Sequence, residues 1–248
     1  VSRKKKMRMS EQSHHDPTSL QSLAAAFTVE SNTHPVTDER RAQLIDKPAF
    51  GEVFSDHMAH MTWTKGEGWS DRRIEPYGPL NMDPAASVLH YAQECFEGLK
   101  AYHHDDGSIW MFRPDANAER FRNSAKRLYL PQLPVDDFLG SVGALVTKER
   151  AWVPTRREYT LYIRPFMFAS EPFIGVRATN EAEYCVIASP SGPYFTGGVS
   201  PVSIWVEDQW FRTGPGGTGF AKCGGNYAAS LVGEYRGIEH GCEQVCFV

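Results

Sequence analysis

The sequence predicts a mixed α/β (α+β) protein built in two units, a smaller N-terminal α/β unit and the beginning of a second one. Three features predict it. Short β-like runs punctuated by turns begin at Phe50. Two stretches with helical apolar spacing, opening at Pro114 and Asp136, interrupt those runs. A Gly- and Pro-rich segment, residues 190–201, then separates them from a new strand at 202–206. This divides the chain into a polar, disordered leader (1–46), the first α/β unit (47–189), a linker (190–201) and a second unit (202–248).

The elements follow from local pattern. Residues 53–58 and 61–63 read as strands, with Gly66-Glu67-Gly68 and Pro76-Tyr77-Gly78-Pro79 as turns. Residues 108–112 are a further strand. Pro114 opens a helix whose Ala118, Phe121, Ala125 and Leu128 recur on one face, with Pro131 beyond its end. Residues 136–150 form a second helix with Phe138, Val142 and Leu145 inward, and 159–168 and 183–188 are strands. In the second unit Asn226 is the expected N-cap of a helix. Its inward stripe is Ala228, Ala229, Leu231, Val232, Tyr235 and Ile238. Val245–Val248, a continuous apolar run, reads as a buried parallel strand. The chain starts at Val1 and stops on this strand, so residues of the whole protein are expected to be missing, in particular beyond Val248.

Composition limits the function. The chain has 248 residues, 41% hydrophobic and 23% charged, which excludes a disordered, collagen-like or disulfide-scaffold protein. Its net charge is −4, yet Arg3, Lys4, Lys5, Lys6 and Arg8 put five cations in the first ten residues. The remainder is therefore distinctly acidic, which argues against a nucleic-acid binder. The basic start is followed by Glu11-Gln12-Ser13-His14-His15-Asp16, not the apolar core of a signal peptide. No run reaches the roughly 18 apolar residues of a membrane span. Five scattered cysteines fit a reducing cytoplasm.

The segment 213–227 carries the strongest chemical signal, with six glycines around Lys222. Glycine lets backbone turn sharply and approach a ligand. Gly214-Pro215-Gly216-Gly217-Thr218-Gly219 matches a dinucleotide fingerprint as text, but Phe220-Ala221-Lys222 does not open a helix, and Ala221-Lys222-Cys223 lacks the Gly-Lys-Ser/Thr of a P-loop. A lysine on a tight, partly desolvated loop before a helix can form a Schiff base with an aldehyde cofactor; the alternative is an exposed loop lysine. Tyr162 and Arg164, two apart on a strand, share a face and can grip a carboxylate, or form an edge-strand ion pair. Arg120, beside the apolar stripe of its helix, reaches either a buried anion or solvent. Tyr91 and Phe96 flank a pocket or sit in plain core. His240, Cys242 and Cys246 lack the four ligands of a tetrahedral zinc site, so no metal is expected.

Together Phe54-Ser55-Asp56-His57-Met58, Phe96-Glu97-Gly98-Leu99-Lys100, Phe112-Arg113-Pro114, Leu161-Tyr162-Ile163-Arg164-Pro165 and Lys222-Cys223-Gly224-Gly225-Asn226-Tyr227 resemble the branched-chain amino-acid aminotransferases, fold-type IV pyridoxal-phosphate enzymes. The resemblance runs from about Phe50 to Val248. It implies a two-domain fold with an incomplete C-terminal domain. Lys222 is then the lysine that bonds the cofactor aldehyde, Tyr227 the tyrosine at its ring oxygen and Arg120 the arginine at its phosphate. By the same resemblance Tyr162 and Arg164 lie on the substrate side, and Phe54 and Phe96 wall the side-chain pocket. Tyr91, Ile174 and Val176 reach the pocket of a neighbouring subunit, which implies a homodimer. The implied reaction passes the amino group of leucine, isoleucine or valine to 2-oxoglutarate in the cytoplasm. The implied acidic partner of the pyridine nitrogen falls beyond Val248, so slow or absent turnover is expected of these 248 residues. D-amino-acid aminotransferases and aminodeoxychorismate lyases share the lysine and the phosphate arginine. Tyr162-Ile163-Arg164 and Phe96-Glu97-Gly98 favour the branched-chain group. A remnant that only binds cofactor or a partner chain is the remaining alternative.

Overall fold

The computed structural model describes residues 17–193 and 201–248. In chain order its elements are α1 (Pro17–Ala24), β1 (Thr28–Val29), α2 (Asp38–Asp46), β2 (His57–Thr64), β3 (Gly68–Pro76), α3 (Ser87–Tyr91), β4 (Glu94–Phe96), β5 (Leu99–His103), β6 (Ile109–Met111), α4 (Pro114–Arg127), α5 (Val135–Lys148), β7 (Thr160–Ala169), β8 (Glu181–Ser191), β9 (Ile204–Glu207), α6 (Gly224–Glu239) and β10 (Gln244–Phe247).

An eight-stranded sheet ordered β1-β3-β2-β8-β7-β5-β6, with β4 also on β7, organises the first part. Its neighbours are antiparallel except β1 on β3. Period-2 alternation sends Leu161, Ile163 and Met167 of β7 into the core and leaves Tyr162 and Arg164 on the other face. The core is closed by α4 and α5, through Phe121, Phe138, Val142 and Leu145. Phe121 meets Phe138 at 5.6 Å and Tyr184 at 5.5 Å. The fully buried Tyr184 hydroxyl is satisfied by Ser141 Oγ at 2.9 Å.

The leader expectation needs correction. Residues 1–16 lie outside the described residues, but 17–46 hold α1, β1 and α2. Leu20, Leu23, Ala24 and Phe27 pack on the core. Close approach is possible because α5 carries Gly140 and Gly143 on the contact face. A Cβ at Gly140 would lie 2.8 Å from the Leu23 carbonyl oxygen. Thr37 caps α2, its Oγ1 accepting the Arg40 N–H at 3.3 Å. A polar exterior therefore concealed a segment anchored by seven apolar side chains, Val36, Leu44 and Ile45 among them.

Strand limits shift too. Residues 53–56 precede β2 as irregular chain, and the two short strands expected at 53–58 and 61–63 are one strand, β2. β8 extends to Ser191 and takes in Pro190, so the first two residues of the expected linker are strand. Residues 194–200 of it lie outside the described residues.

The second part is a βαβ unit, with β9 parallel to β10 across α6. Here the expected inward stripe is wrong. Leu231, Val232, Tyr235 and Ile238 are exposed, and the buried positions are Asn226, Ser230, Gly233 and Gly237. Backbone proximity explains it: a Cβ on Gly233 would meet the Phe247 ring, and one on Gly237 would lie 3.2 Å from Trp205 Cβ. Only small residues fit that face. β10 is parallel, as expected, but alternately exposed and half-buried.

Candidate active site

Lys222 closes a loop pinned to the first part at both its backbone groups. Its N–H donates to Ser124 Oγ of α4 at 2.9 Å, and its carbonyl accepts the Phe96 N–H of β4 at 3.0 Å. Arg127 of α4 donates to the Gly216 and Gly217 carbonyls, each at 3.3 Å, where Gly216 turns with φ +75°. The loop is thus fastened to two elements. Asn226 is not the N-cap of α6. That position is Cys223, without a side-chain bond, and the Gly224 N–H donates to the Glu94 carboxylate of β4. Asn226 instead turns back, its Nδ2 donating to the Ala221 and Thr218 carbonyls at 2.8 and 2.9 Å.

This anchoring aims three side chains at one spot. Lys222 Nζ donates to Tyr227 Oη at 2.5 Å and sits 4.6 Å from the Phe96 ring centroid. Phe96 and Tyr227 are 5.0 Å apart. The Arg164 guanidinium carbon lies 4.7 Å from the Phe96 centroid, and Arg164 Nη2 donates to Tyr162 Oη at 3.0 Å. Arg164 Nε is buried without a hydrogen-bond partner among the described residues. Tyr162 also meets Phe50 edge-on at 5.1 Å.

Arg120 approaches from α4. Its Nε and Nη2 grip the carboxylate of the fully buried Glu97 at 2.5 and 2.8 Å, and Asn117 Nδ2 adds a bond at 2.7 Å. The pair raises the guanidinium above its ordinary value, and the neighbouring Tyr227 hydroxyl contributes to that shift. The side chain is still 55% exposed. Burial raises the Tyr227 phenol, but the hydrogen bonds and charges of Lys222 and Arg212 outweigh it, and the net shift is downward. Burial likewise raises Glu94, against the Gly224 N–H and the Arg164 charge.

Of the residues singled out in the sequence, Lys222, Tyr227, Phe96, Arg164 and Tyr162 form one contact chain, with Arg120 alongside. Phe54 is elsewhere, stacked on Tyr77 at 5.0 Å. Tyr91 and Val176 line a surface cavity of about 360 Å³ together with Arg127, Tyr129 and Arg177. Ile174 is exposed. His240 stacks on Trp205 at 4.1 Å. Glu97, Glu94, Ser124 and Arg212 escaped the sequence reading. Glu97 alone left a trace, as a carboxylate in an otherwise apolar run that must meet a cation if buried.

The chain is similar in sequence to curated aminotransferases. The probable branched-chain-amino-acid aminotransferase of Streptomyces coelicolor is 52% identical over 218 residues, 88% of this chain and 60% of that protein. The branched-chain-amino-acid aminotransferase of Mycolicibacterium smegmatis is 50% identical over 223 residues, 90% of this chain and 61% of its own length. The chain belongs to the branched-chain-amino-acid aminotransferase family. It spans about 60% of the length of these curated relatives. No family model matches it. In fold it resembles a T.th. branched-chain amino acid aminotransferase solved with pyridoxamine 5′-phosphate, at TM-score 0.59 and 25% identity, over 77% of this chain and 59% of that one. The fold is accordingly that of the fold-type IV aminotransferases, in part. No helix among the described residues is long and apolar enough to cross a membrane.

Proposed function

We propose that the chain serves pyridoxal-phosphate-dependent transamination of branched-chain L-amino acids with 2-oxoglutarate, giving branched-chain 2-oxo acids and L-glutamate. The observation that carries this reading is the Lys222 amine held 2.5 Å from the Tyr227 hydroxyl beside the Phe96 ring, in a family of branched-chain aminotransferases. The donors suit the cofactor. Lys222 offers an amine to an aldehyde, Tyr227 a hydroxyl to a ring oxygen, and Arg120 its free edge to a phosphate.

When bound, pyridoxal phosphate supplies the electron sink for charge developing at the amino-acid Cα. The chain's own residues do the rest. A neutral Lys222 Nζ takes the Cα proton as general base and returns it as general acid, with Tyr227 Oη fixing the amine between transfers. Tyr162 Oη and the unpartnered Arg164 Nε offer donors to a substrate carboxylate. Phe96 walls the side-chain pocket, and Phe54 is read as a further wall. Ile174, Val176 and Tyr91 are read as contributions to a neighbouring subunit's pocket in a homodimer. With these go a division at the linker after Ser191 and a cytoplasmic location.

The test uses the purified 248-residue chain with added pyridoxal phosphate. A visible absorbance band that disappears in Lys222→Ala is expected, with glutamate formation slow or absent and, where it occurs, from L-leucine and not D-leucine. A band that survives Lys222→Ala overturns the assignment of the lysine. Product from D-leucine alone favours the D-amino-acid enzymes of this fold.

A further inference from the structure

Arg212 lies on the loop between β9 and Lys222, in sequence that carries no motif. Its guanidinium carbon stands 4.5 Å from the Tyr227 ring centroid, against a face of the phenol whose oxygen already takes the Lys222 bond at 2.5 Å. Two cations therefore share one tyrosine. A guanidinium over an aromatic face is attracted by the ring quadrupole, and its planar fork also reaches a hydroxyl oxygen at the ring edge. The other groups facing Tyr227 are Phe96 of β4, at 5.0 Å, and Arg120 of α4, whose charge is largely answered by Glu97.

We propose that Arg212 is a positioning residue of this site, holding the Tyr227 ring in place and making its oxygen the hydrogen-bond acceptor of the Lys222 amine. The inference rests on the reading of Lys222 and Tyr227 given above and adds a residue to it. The consequence is directional. Two flanking cations favour the ionised form of the phenol, and a phenolate oxygen is a stronger acceptor than a neutral hydroxyl, so it keeps Lys222 Nζ oriented at the reacting centre between proton transfers. The downward shift of the Tyr227 phenol agrees with this, since Lys222 and Arg212 together outweigh the effect of burial.

The experiment reads the phenol without cofactor. Ring-carbon NMR of ¹³C-tyrosine-labelled chain, with Tyr227→Phe assigning the resonance, follows the Tyr227 titration. Arg212→Gln is expected to raise its midpoint by about one pH unit, the effect of removing one adjacent opposite charge. Arg212→Lys, which keeps the charge, is expected to restore at least half of that shift. Near-UV circular dichroism of each variant verifies the fold. An unchanged midpoint in a folded Arg212→Gln, or a full shift in Arg212→Lys, overturns the proposal. Adding pyridoxal phosphate to the same samples reads the parent assignment separately. Failure of the visible band with a normal Arg212 shift overturns the cofactor reading and leaves the coupling of Arg212 to Tyr227 standing.

Discussion

At Gly98 a Cβ would overlap the Tyr162 hydroxyl, the same oxygen that receives Arg164 Nη2 at 3.0 Å. The obstructing atom is the far end of a side chain, so an alanine there displaces the ring and leaves the backbone in place. Gly98→Ala is expected to cost less than about 1.5 kcal/mol of stability. It is also expected to weaken amino-acid binding about tenfold, roughly 1.4 kcal/mol of lost binding. The cofactor band in the absence of amino acid should be unchanged. Thermal unfolding, absorbance and titration of the cofactor band with L-leucine on the same samples separate the three effects; loss of the band would show that Gly98 supports Lys222 instead. The sequence made Gly98 visible only as part of a motif. The reason for glycine there is the neighbouring strand, since Lys100 of β5 pairs with Tyr162 of β7.

Between β7 and β8 the chain is organised by one carboxylate. Glu171 accepts Arg177 Nη2 at 2.6 Å, the Asn180 N–H at 2.8 Å and Asn180 Nδ2 at 3.0 Å. These bonds tie both ends of the segment bearing Ile174 and Val176. Burial works to raise the carboxyl, but Arg177 and Asn180 outweigh it and hold it at about 2, below the ordinary 4.5. A depressed folded value means that the unfolded chain binds more protons in that window. The stabilisation is therefore full above about pH 4.5 and is lost as pH falls toward 2. Glu171→Gln is expected to lower stability at neutral pH by about 1–3 kcal/mol and to flatten the acid limb between those values. Urea unfolding across the acid range measures both, and an acid limb as steep as in the unchanged chain would refute the role. The helices show how unevenly patterns were legible. α4 and α5 follow their apolar spacing because both lie on the wide sheet. α6 does not, because its packing face meets the Phe247 ring and Trp205 so closely that Gly233 and Gly237 leave no room for a larger side chain.

Across the whole molecule, Tyr91, Tyr129, Ile174 and Val176 are exposed, at 40%, 77%, 68% and 88%; Tyr91, Tyr129 and Val176 line one cavity, and Ile174 lies two residues from Val176. Aromatic and aliphatic groups grouped at a surface mark an interface more often than an ordinary exterior. If that face joins two copies, Ile174→Asp with Val176→Asp places like charges where the copies meet. Sedimentation is expected to show dimers for the unchanged chain and at least a tenfold weaker association for the double variant. A chain that is monomeric at high micromolar concentration would remove the homodimer from the reading of Tyr91, Ile174 and Val176.

By itself the sequence determined four of the eight strands of the wide sheet (β2, β6, β7 and β8, but not β1, β3, β4 or β5), the loop that carries Lys222, and the shared face of Tyr162 and Arg164. Those depend on local spacing, glycine content and strand alternation. Tertiary structure decided what local pattern cannot express. Glu97 holds Arg120 from 23 residues away, Glu94 caps a helix 130 residues on, and Ser124 fixes the Lys222 backbone across 98 residues. Each is a long-range polar contact, which leaves no periodicity in the chain and exists only once the sheet and α4 have brought its partners together.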